Sequence, residues 1–213
     1  MKMHECHTSE GRETGVQAAL DAVRRGDLVV LPTDTVYGIG ADAFSPQAVT
    51  RLLAAKGRGR DMPVPVLIGA WRTARALTDL LSEPAENLIS AFWPGALTII
   101  VKQGSGLAWD LGDSNGTVAL RMPQHEVAID LLQETGPLAV SSANRTGMPP
   151  TTTAEDARDQ LGDTVEVYLD AGPTPGAVAS TIVDVTGDQP RLVREGVITR
   201  AQLEDAVGPV GIA

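Results

Sequence analysis

The chain has 213 residues, and its 17 lysines and arginines stand against 27 aspartates and glutamates, a formal net charge of −10. That length suits one large domain or two small ones, and 43% apolar residues exclude a disordered chain. The acidic balance argues against broad nucleic-acid binding, which is driven by neutralising phosphates, so any basic cluster is informative. A single cysteine, Cys6, excludes an internal disulfide framework and fits a reducing compartment. The start, MKMHECHTSEGRE, lacks an apolar signal-peptide core, and no apolar run reaches the length of a membrane span. A cytoplasmic protein with no membrane contact is expected.

In chain order, residues 1–12 read as a flexible tail, 13–208 as one domain and 209–213 as a second short tail. Residues 14–25 carry Val16, Ala19, Leu20 and Val23 on one helical face, closed by Gly26. The strand LVVLPT (28–33) follows. Gly38-x-Gly40-x-x-Ala43 imitates a dinucleotide fingerprint, but Phe44-Ser45-Pro46 delays the helix, so a tight turn leaving the strand is the better reading. Ser45 as N-cap and Pro46 at the first helical position start a helix that Gly57 ends. A strand over 63–69 leads to helical residues 71–92, broken near Pro84, and then to strands at 96–102 and 117–123. A helix at 125–135 precedes the strand PLAVSSAN (137–144). Thr153 with Asp156 resembles a capping box for a helix ending near Gly162. Strands VEVYLD, STIVDV and RLVRE follow, and Thr199 with Gln202 caps a last helix. Helices and strands that alternate until three strands run together predict a single α/β domain built on a mixed sheet.

Several chemistries find little material. His4, Cys6 and His7 are soft ligands but lie in the expected tail, so no metal site is expected there. His125 is the only other histidine, and no P-loop motif is present. The polar clusters are more promising. Lys56-Gly57-Arg58-Gly59-Arg60 holds one of only three lysines beside two arginines. Cations do stabilise helix ends, yet in an acidic chain this cluster points to phosphate. PTDTVYG (32–38) and SSAN (141–144) put Thr, Asp, Ser and Asn at strand ends, where open α/β sheets bind ligands. Arg121 and Ser180 interrupt apolar strands, and a buried arginine needs a partner or a ligand. Together these features suggest one polar groove for a small anion and a nucleotide.

PTDTVYGIGADA, AAKGRGRDMPVPVLI, FWPGALTIIV, VALRMPQHEVA, PLAVSSANRTG, STIVDVT and RLVREG occur in an order that resembles the YrdC-like threonylcarbamoyl-adenylate synthases. The resemblance covers roughly residues 14–200 and matches the short form, without the extra C-terminal domain of longer members. It implies an open, twisted mixed α/β sheet with flanking helices around a concave, positively charged groove. It also implies synthesis of threonylcarbamoyl-AMP and pyrophosphate from L-threonine, bicarbonate and ATP with Mg2+, without a protein nucleophile or a protein-held metal. A tRNA threonylcarbamoyl-transferase complex would take the product and modify the adenosine beside the anticodon. Carried over by position, Thr35, Arg121, Ser142 and Ser180 fall on the threonine and carbamate side. Lys56, Arg58, Thr117, Asn144, Thr152 and Arg194 fall on the ATP side. Gly59 and Met62 depart from the proline and asparagine frequent in the family. Two other readings are an RNA-binding module, with weak tRNA or double-stranded RNA binding in the same groove, and a hydrogenase-maturation domain. The second would bring zinc-finger cysteines, which this sequence lacks.

Overall fold

Side-chain caps set five of the seven helix starts in the computed structural model, which describes residues 1–213. In order, the elements are β1 (Lys2–Glu5), α1 (Ser9–Arg24), β2 (Val29–Leu31), β3 (Gly38–Asp42), α2 (Pro46–Lys56), β4 (Val66–Leu67) and α3 (Trp71–Ala76). Then come α4 (Glu83–Phe92), β5 (Leu97–Lys102), β6 (Thr117–Arg121), α5 (Glu126–Thr135), β7 (Leu138–Ser142) and α6 (Ala154–Leu161). A short 3-10 turn at Gly162–Thr164 leads to β8 (Val167–Asp170), β9 (Thr181–Asp184), β10 (Arg191–Arg194), α7 (Arg200–Val207) and β11 (Gly211–Ile212). The Ser45 hydroxyl accepts from the Ala48 amide, and Gly57 closes α2 at φ 62°, the left-handed conformation that glycine adopts without cost. Thr199 and Gln202 form the reciprocal capping box at α7. At α6 only the Thr153 half of such a box forms.

The eleven strands make one mixed sheet in the order β1-β8-β2-β3-β7-β4-β6-β5-β9-β10-β11. Side chains alternate between its faces. Val30, Ile39, Ile99, Leu120 and Val183 point into the larger core, with α2, α4, α6 and α7 residues such as Leu52, Leu88, Ala157 and Leu203. Val29, Leu31, Leu67, Val140 and Leu169 point the other way, against Val16, Ala19 and Val23 of α1 and Leu131 and Leu132 of α5. Those two helices cover only the β8-to-β4 half of that face. Over β6, β5 and β9, the residues Ile100, Ala119 and Ile182 stay half-buried and form an open apolar floor.

Both expected tails are ordered elements. Residues 2–5 pair in parallel with β8, Lys2 opposite Val167 and Glu5 opposite Asp170, and α1 starts at Ser9 with Thr8 as its cap. The strand was hidden because its partner lies some 160 positions away in sequence and its own residues are mostly polar. Gly211 and Ile212 likewise pair with β10. Residues 38–42, expected as a turn, form a central strand between β2 and β7. Glycine is needed there because a Cβ at Gly38 would stand 2.6 Å from Val140 Cγ1. The expected strand 63–69 shrinks to two residues, since Pro63 and Pro65 have no amide to donate. The two helical stretches expected over 71–92 are α3 and α4, and the break falls just before Pro84, which sits in the first turn of α4.

Candidate functional site

Residues 32–37 join β2 to β3 as a hairpin loop whose shape is fixed by Thr33. Its hydroxyl accepts from the Thr35 and Val36 amides at 3.1 and 3.3 Å and donates to the Val36 carbonyl at 2.6 Å. This holds Thr35 inward, and its Oγ1 accepts from Arg121 Nη1 at 2.9 Å. Arg121 stands at the end of β6 with its side chain 7% exposed. Its Nε donates to the Gly95 carbonyl at 2.9 Å and its Nη2 to Asp34 Oδ1 at 2.7 Å.

Across β5 and β9, Ser180 Oγ and Thr98 Oγ1 share a 2.9 Å hydrogen bond. Arg194 folds back on Ser180, its Nη2 donating to the backbone carbonyl at 2.8 Å and to Oγ at 3.2 Å. A register shift between Leu192 and Arg194 lets Val193 and Arg194, neighbours in sequence, both face the site. Opposite them, Arg58 turns inward from the end of α2, and its Nη1 donates to Ser141 Oγ at 3.1 Å. Its Nε is buried without a hydrogen-bond partner.

These groups line one cavity of about 340 Å³ over the uncovered half of the sheet. Its lining holds three arginines, Arg58, Arg121 and Arg194, and not one carboxylate, in a chain of net charge −10. Burial, above all, pushes all three guanidiniums down from their ordinary range. The charge of Arg58 adds to this at Arg194, and that of Arg194 at Arg121, where Asp34 opposes it. Such a cluster is stabilised by an anion that shares its donors.

All four residues expected on the threonine side, Thr35, Arg121, Ser142 and Ser180, line this cavity, as do Arg58 and Arg194 from the ATP side. The other four ATP-side residues do not. Lys56 is 3% exposed and donates to the Ser142 and Asn144 carbonyls, so its ammonium ties α2 to the SSAN segment. Asn144 Nδ2 donates to the Arg145 and Met148 carbonyls, leaving Oδ1 buried and unpaired. Thr117 shares the face of Ala119 and Arg121 but opens β6 at its far end, where its hydroxyl donates to the Ser114 carbonyl at 2.7 Å. Thr152 contributes its carbonyl to the Thr174 amide, outside the cavity wall. Ser141, Thr98 and Thr33 are site residues that sequence reasoning left unassigned. Two lie in motifs already conspicuous, PTDT and SSAN, whereas Thr98 sits in a strand that carries no such signal.

The family described as Telomere recombination (Sua5/YciO/YrdC) matches residues 21–196. The chain belongs to the Sua5/YciO/YrdC family. It is 56% identical over 204 residues to a Mycobacterium tuberculosis protein named "Putative threonylcarbamoyl-AMP synthase", covering 96% of this chain and 94% of that one. It is 38% identical to the Bacillus subtilis threonylcarbamoyl-AMP synthase, covering 92% of this chain and 58% of the relative. Pyrococcus abyssi Sua5 complexed with L-threonine superposes with a TM-score of 0.93 at 32% identity, over 100% of this chain and 63% of that chain. This chain therefore spans about three fifths of the length of the Bacillus and Pyrococcus family members.

Two predictions arise from the family fold as built here. A Cβ at Gly196 would meet the Ala179 carbonyl oxygen and stand 2.7 Å from Ser180 C and Thr181 N. Gly196→Ala is therefore expected to cost about 1–3 kcal/mol by overpacking, and to shift Ser180 and Arg194 enough to weaken ligand binding. Paired melting and binding curves check this; unchanged binding would mean that the Ser180–Arg194 contact tolerates the shift.

The second concerns Lys56, whose ammonium burial, aided by the Arg58 charge, brings down to about 8 from 10.5. Between those values the unfolded chain keeps a proton that the folded protein has lost, so this group makes stability rise with pH. Lys56→Met is expected to remove the stability gain that accumulates between pH 8 and 10.5, on the order of 1–3 kcal/mol in total. Urea midpoints across that window measure it. An identical slope in both proteins would place the Lys56 titration elsewhere.

Proposed function

We propose that this chain joins L-threonine, bicarbonate and ATP into threonylcarbamoyl-AMP, releasing pyrophosphate. The observation that carries the reading is the carboxylate-free cavity lined by Arg58, Arg121 and Arg194. The threonine carboxylate, the carbamate and the triphosphate are all anions, and crowding them requires fixed cations and aligned donors. Arg121, Thr35, Ser142 and Ser180 hold the threonine carboxylate and carbamate. Arg58, beside Ser141, and Arg194, beside Ser180, approach from opposite walls of the cavity and hold the triphosphate. Lys56 and Asn144 support that wall, the first through its grip on the SSAN backbone, while Thr117 and Thr152 flank the nucleotide from farther out.

The threonine amine forms a bond to the bicarbonate carbon with loss of water, which gives a carbamate. A carbamate oxygen then bonds to the α-phosphorus, the bond to the bridging oxygen breaks, and pyrophosphate leaves with the electron pair. Arg58 and Arg194 stabilise the charge that accumulates on the leaving group, and the half-buried floor of Ile100, Ala119 and Ile182 limits water around the mixed anhydride. No side chain needs to act as a nucleophile.

The donor set of guanidinium and hydroxyl groups does not fit a protein-held magnesium cage, because no carboxylate lines the cavity and Asp34, behind Arg121, is engaged by Arg121 and the Gln124 amide. Magnesium belongs to the ATP, held by phosphates and water. The product is a reactive anhydride, so a tRNA threonylcarbamoyl-transferase complex in the cytoplasm is the partner that consumes it.

Pyrophosphate release from ATP tests the reading, with threonine and bicarbonate omitted in turn. Release should need both. Equal release without threonine, or a preference for serine, would sink the proposal.

A further inference from the structure

Arg121 carries five N–H donors in a rigid fork. Three of them are taken by the protein, by Gly95 O, Thr35 Oγ1 and Asp34 Oδ1, which leaves one on each terminal nitrogen. The direction of those two remaining donors is set by what holds the fork. Gly95 O fixes the base of the guanidinium, and Thr35 is a hydroxyl that can rotate. Asp34 is the only partner that is both charged and anchored at a second point. Its Oδ1 also accepts from the Gln124 amide at 2.8 Å, which ties the 32–37 loop to the segment between β6 and α5. The side chain is 15% exposed and lies outside the cavity lining, so it touches the site only through Arg121.

We propose that Asp34 is the positioning residue of the site: it aims the Arg121 fork at the carboxylate of the amino-acid substrate without contacting that substrate. The pair also settles the cost of burying Arg121 before any ligand arrives, so the guanidinium stands ready in its binding orientation. The ATP-side arginines have no such anchor. Arg58 makes a single hydrogen bond, to the Ser141 hydroxyl, and feels Asp61 only as a nearby charge, while Arg194 bonds only Ser180. An Asp34 defect should therefore fall on the amino acid and spare the nucleotide. This inference rests on the synthase reading above.

Three variants test it by steady-state pyrophosphate release with threonine and ATP varied separately. In Asp34→Ala, the KM for L-threonine should rise about tenfold or more, because a fork displaced by a fraction of an ångström loses its bidentate geometry, while the KM for ATP stays within about twofold. Asp34→Asn keeps a carbonyl oxygen where Oδ1 accepts both N–H groups but loses the charge, so it should recover part of the threonine affinity and stay ahead of alanine. Asp34→Glu keeps the charge but moves it outward by one methylene, and should show the same threonine-selective defect if the alanine variant does not fold. A parallel rise in both KM values, or a lowered melting temperature with both unchanged, would overturn the proposal and leave Asp34 a structural ion-pair partner. So would an asparagine variant as impaired as alanine or glutamate. If the unmodified protein releases no threonine-dependent pyrophosphate, the synthase reading itself has failed, an outcome visible before any variant is made.

Discussion

Replacing Arg121 with alanine is expected to lower folding stability by about 3–5 kcal/mol and to remove threonine-dependent turnover. The stability loss follows from geometry. Arg121 and Asp34 are 7% and 15% exposed with N and O 2.7 Å apart, so deleting the cation leaves a largely buried carboxylate without its counter-charge. Breaking a buried pair from one side costs about that much. The loss of turnover follows separately, because the same guanidinium supplies the donors expected to bind the amino-acid carboxylate. The two effects can be parted. A double variant, Arg121→Met with Asp34→Leu, removes both charges and fills the space, and should regain much of the stability while staying inactive. Urea midpoints and pyrophosphate release on the unmodified protein, Arg121→Met, Asp34→Leu and the double variant decide the matter. Equal stability in the single and double variants would mean that the ion pair contributes nothing to the fold. Normal turnover in either would remove Arg121 from the binding site.

Why Arg121 was visible in the sequence, and Asp34 much less so, says what a sequence alone can carry. An arginine inside VALRMP interrupts an otherwise apolar run, and the interruption is itself the signal. Asp34 lies in a loop where aspartate is ordinary turn chemistry, so nothing sets it apart until the loop is seen to reach β6. The same distinction runs through the fold. Ser45-Pro46, Gly57 and the Thr199–Gln202 box act within a few residues of themselves, and the helix ends appear where they predict. Strand β1 and the strand Gly38–Asp42 depend on distant partners, β8 for one and Val140 of β7 for the other. Glycine in the second strand is a packing requirement that looks, locally, like a turn.

The direction in which a side chain points is the other thing the sequence withheld. Lys56 and Arg58 are two residues apart around the end of one helix, and a charge cluster at such an end reads as a single phosphate-binding unit. The left-handed Gly57 separates them. Lys56 is left on the buried face of α2, bonded to two carbonyls, while Arg58 lies past the turn and enters the cavity. One motif thus supplies a structural tie and a ligand contact, and the half-buried Arg58 is not the solvent-facing loop residue its glycine neighbours suggest.

Arg58→Ala is for that reason the sharpest test of the nucleotide side. It removes a charge-assisted contact worth roughly 1.5–3 kcal/mol, so the ATP-dependent step should slow about ten- to a hundredfold. Arg58→Lys should restore only part of this, since a point charge cannot reproduce a planar fork. Stability should hold or rise slightly. Within the protein the guanidinium makes one hydrogen bond, to Ser141, leaves its Nε unpaired, and repels the buried Lys56 and the neighbouring Arg194, with the Asp61 charge offsetting part of this. A group held in place against its neighbours is what a binding site retains at the expense of stability. Removing it should also let Lys56 titrate above its value of about 8, because the Arg58 charge is one of the two causes that lower it. The competing idea, that Arg58 merely stabilises the C-terminal end of α2, predicts a lower melting temperature, full turnover and no role for the fork. Turnover, melting temperature and the alkaline stability profile on one Arg58→Ala sample separate the two. Intact turnover with a depressed melting point would take Arg58 out of the site and leave the triphosphate to Arg194 alone.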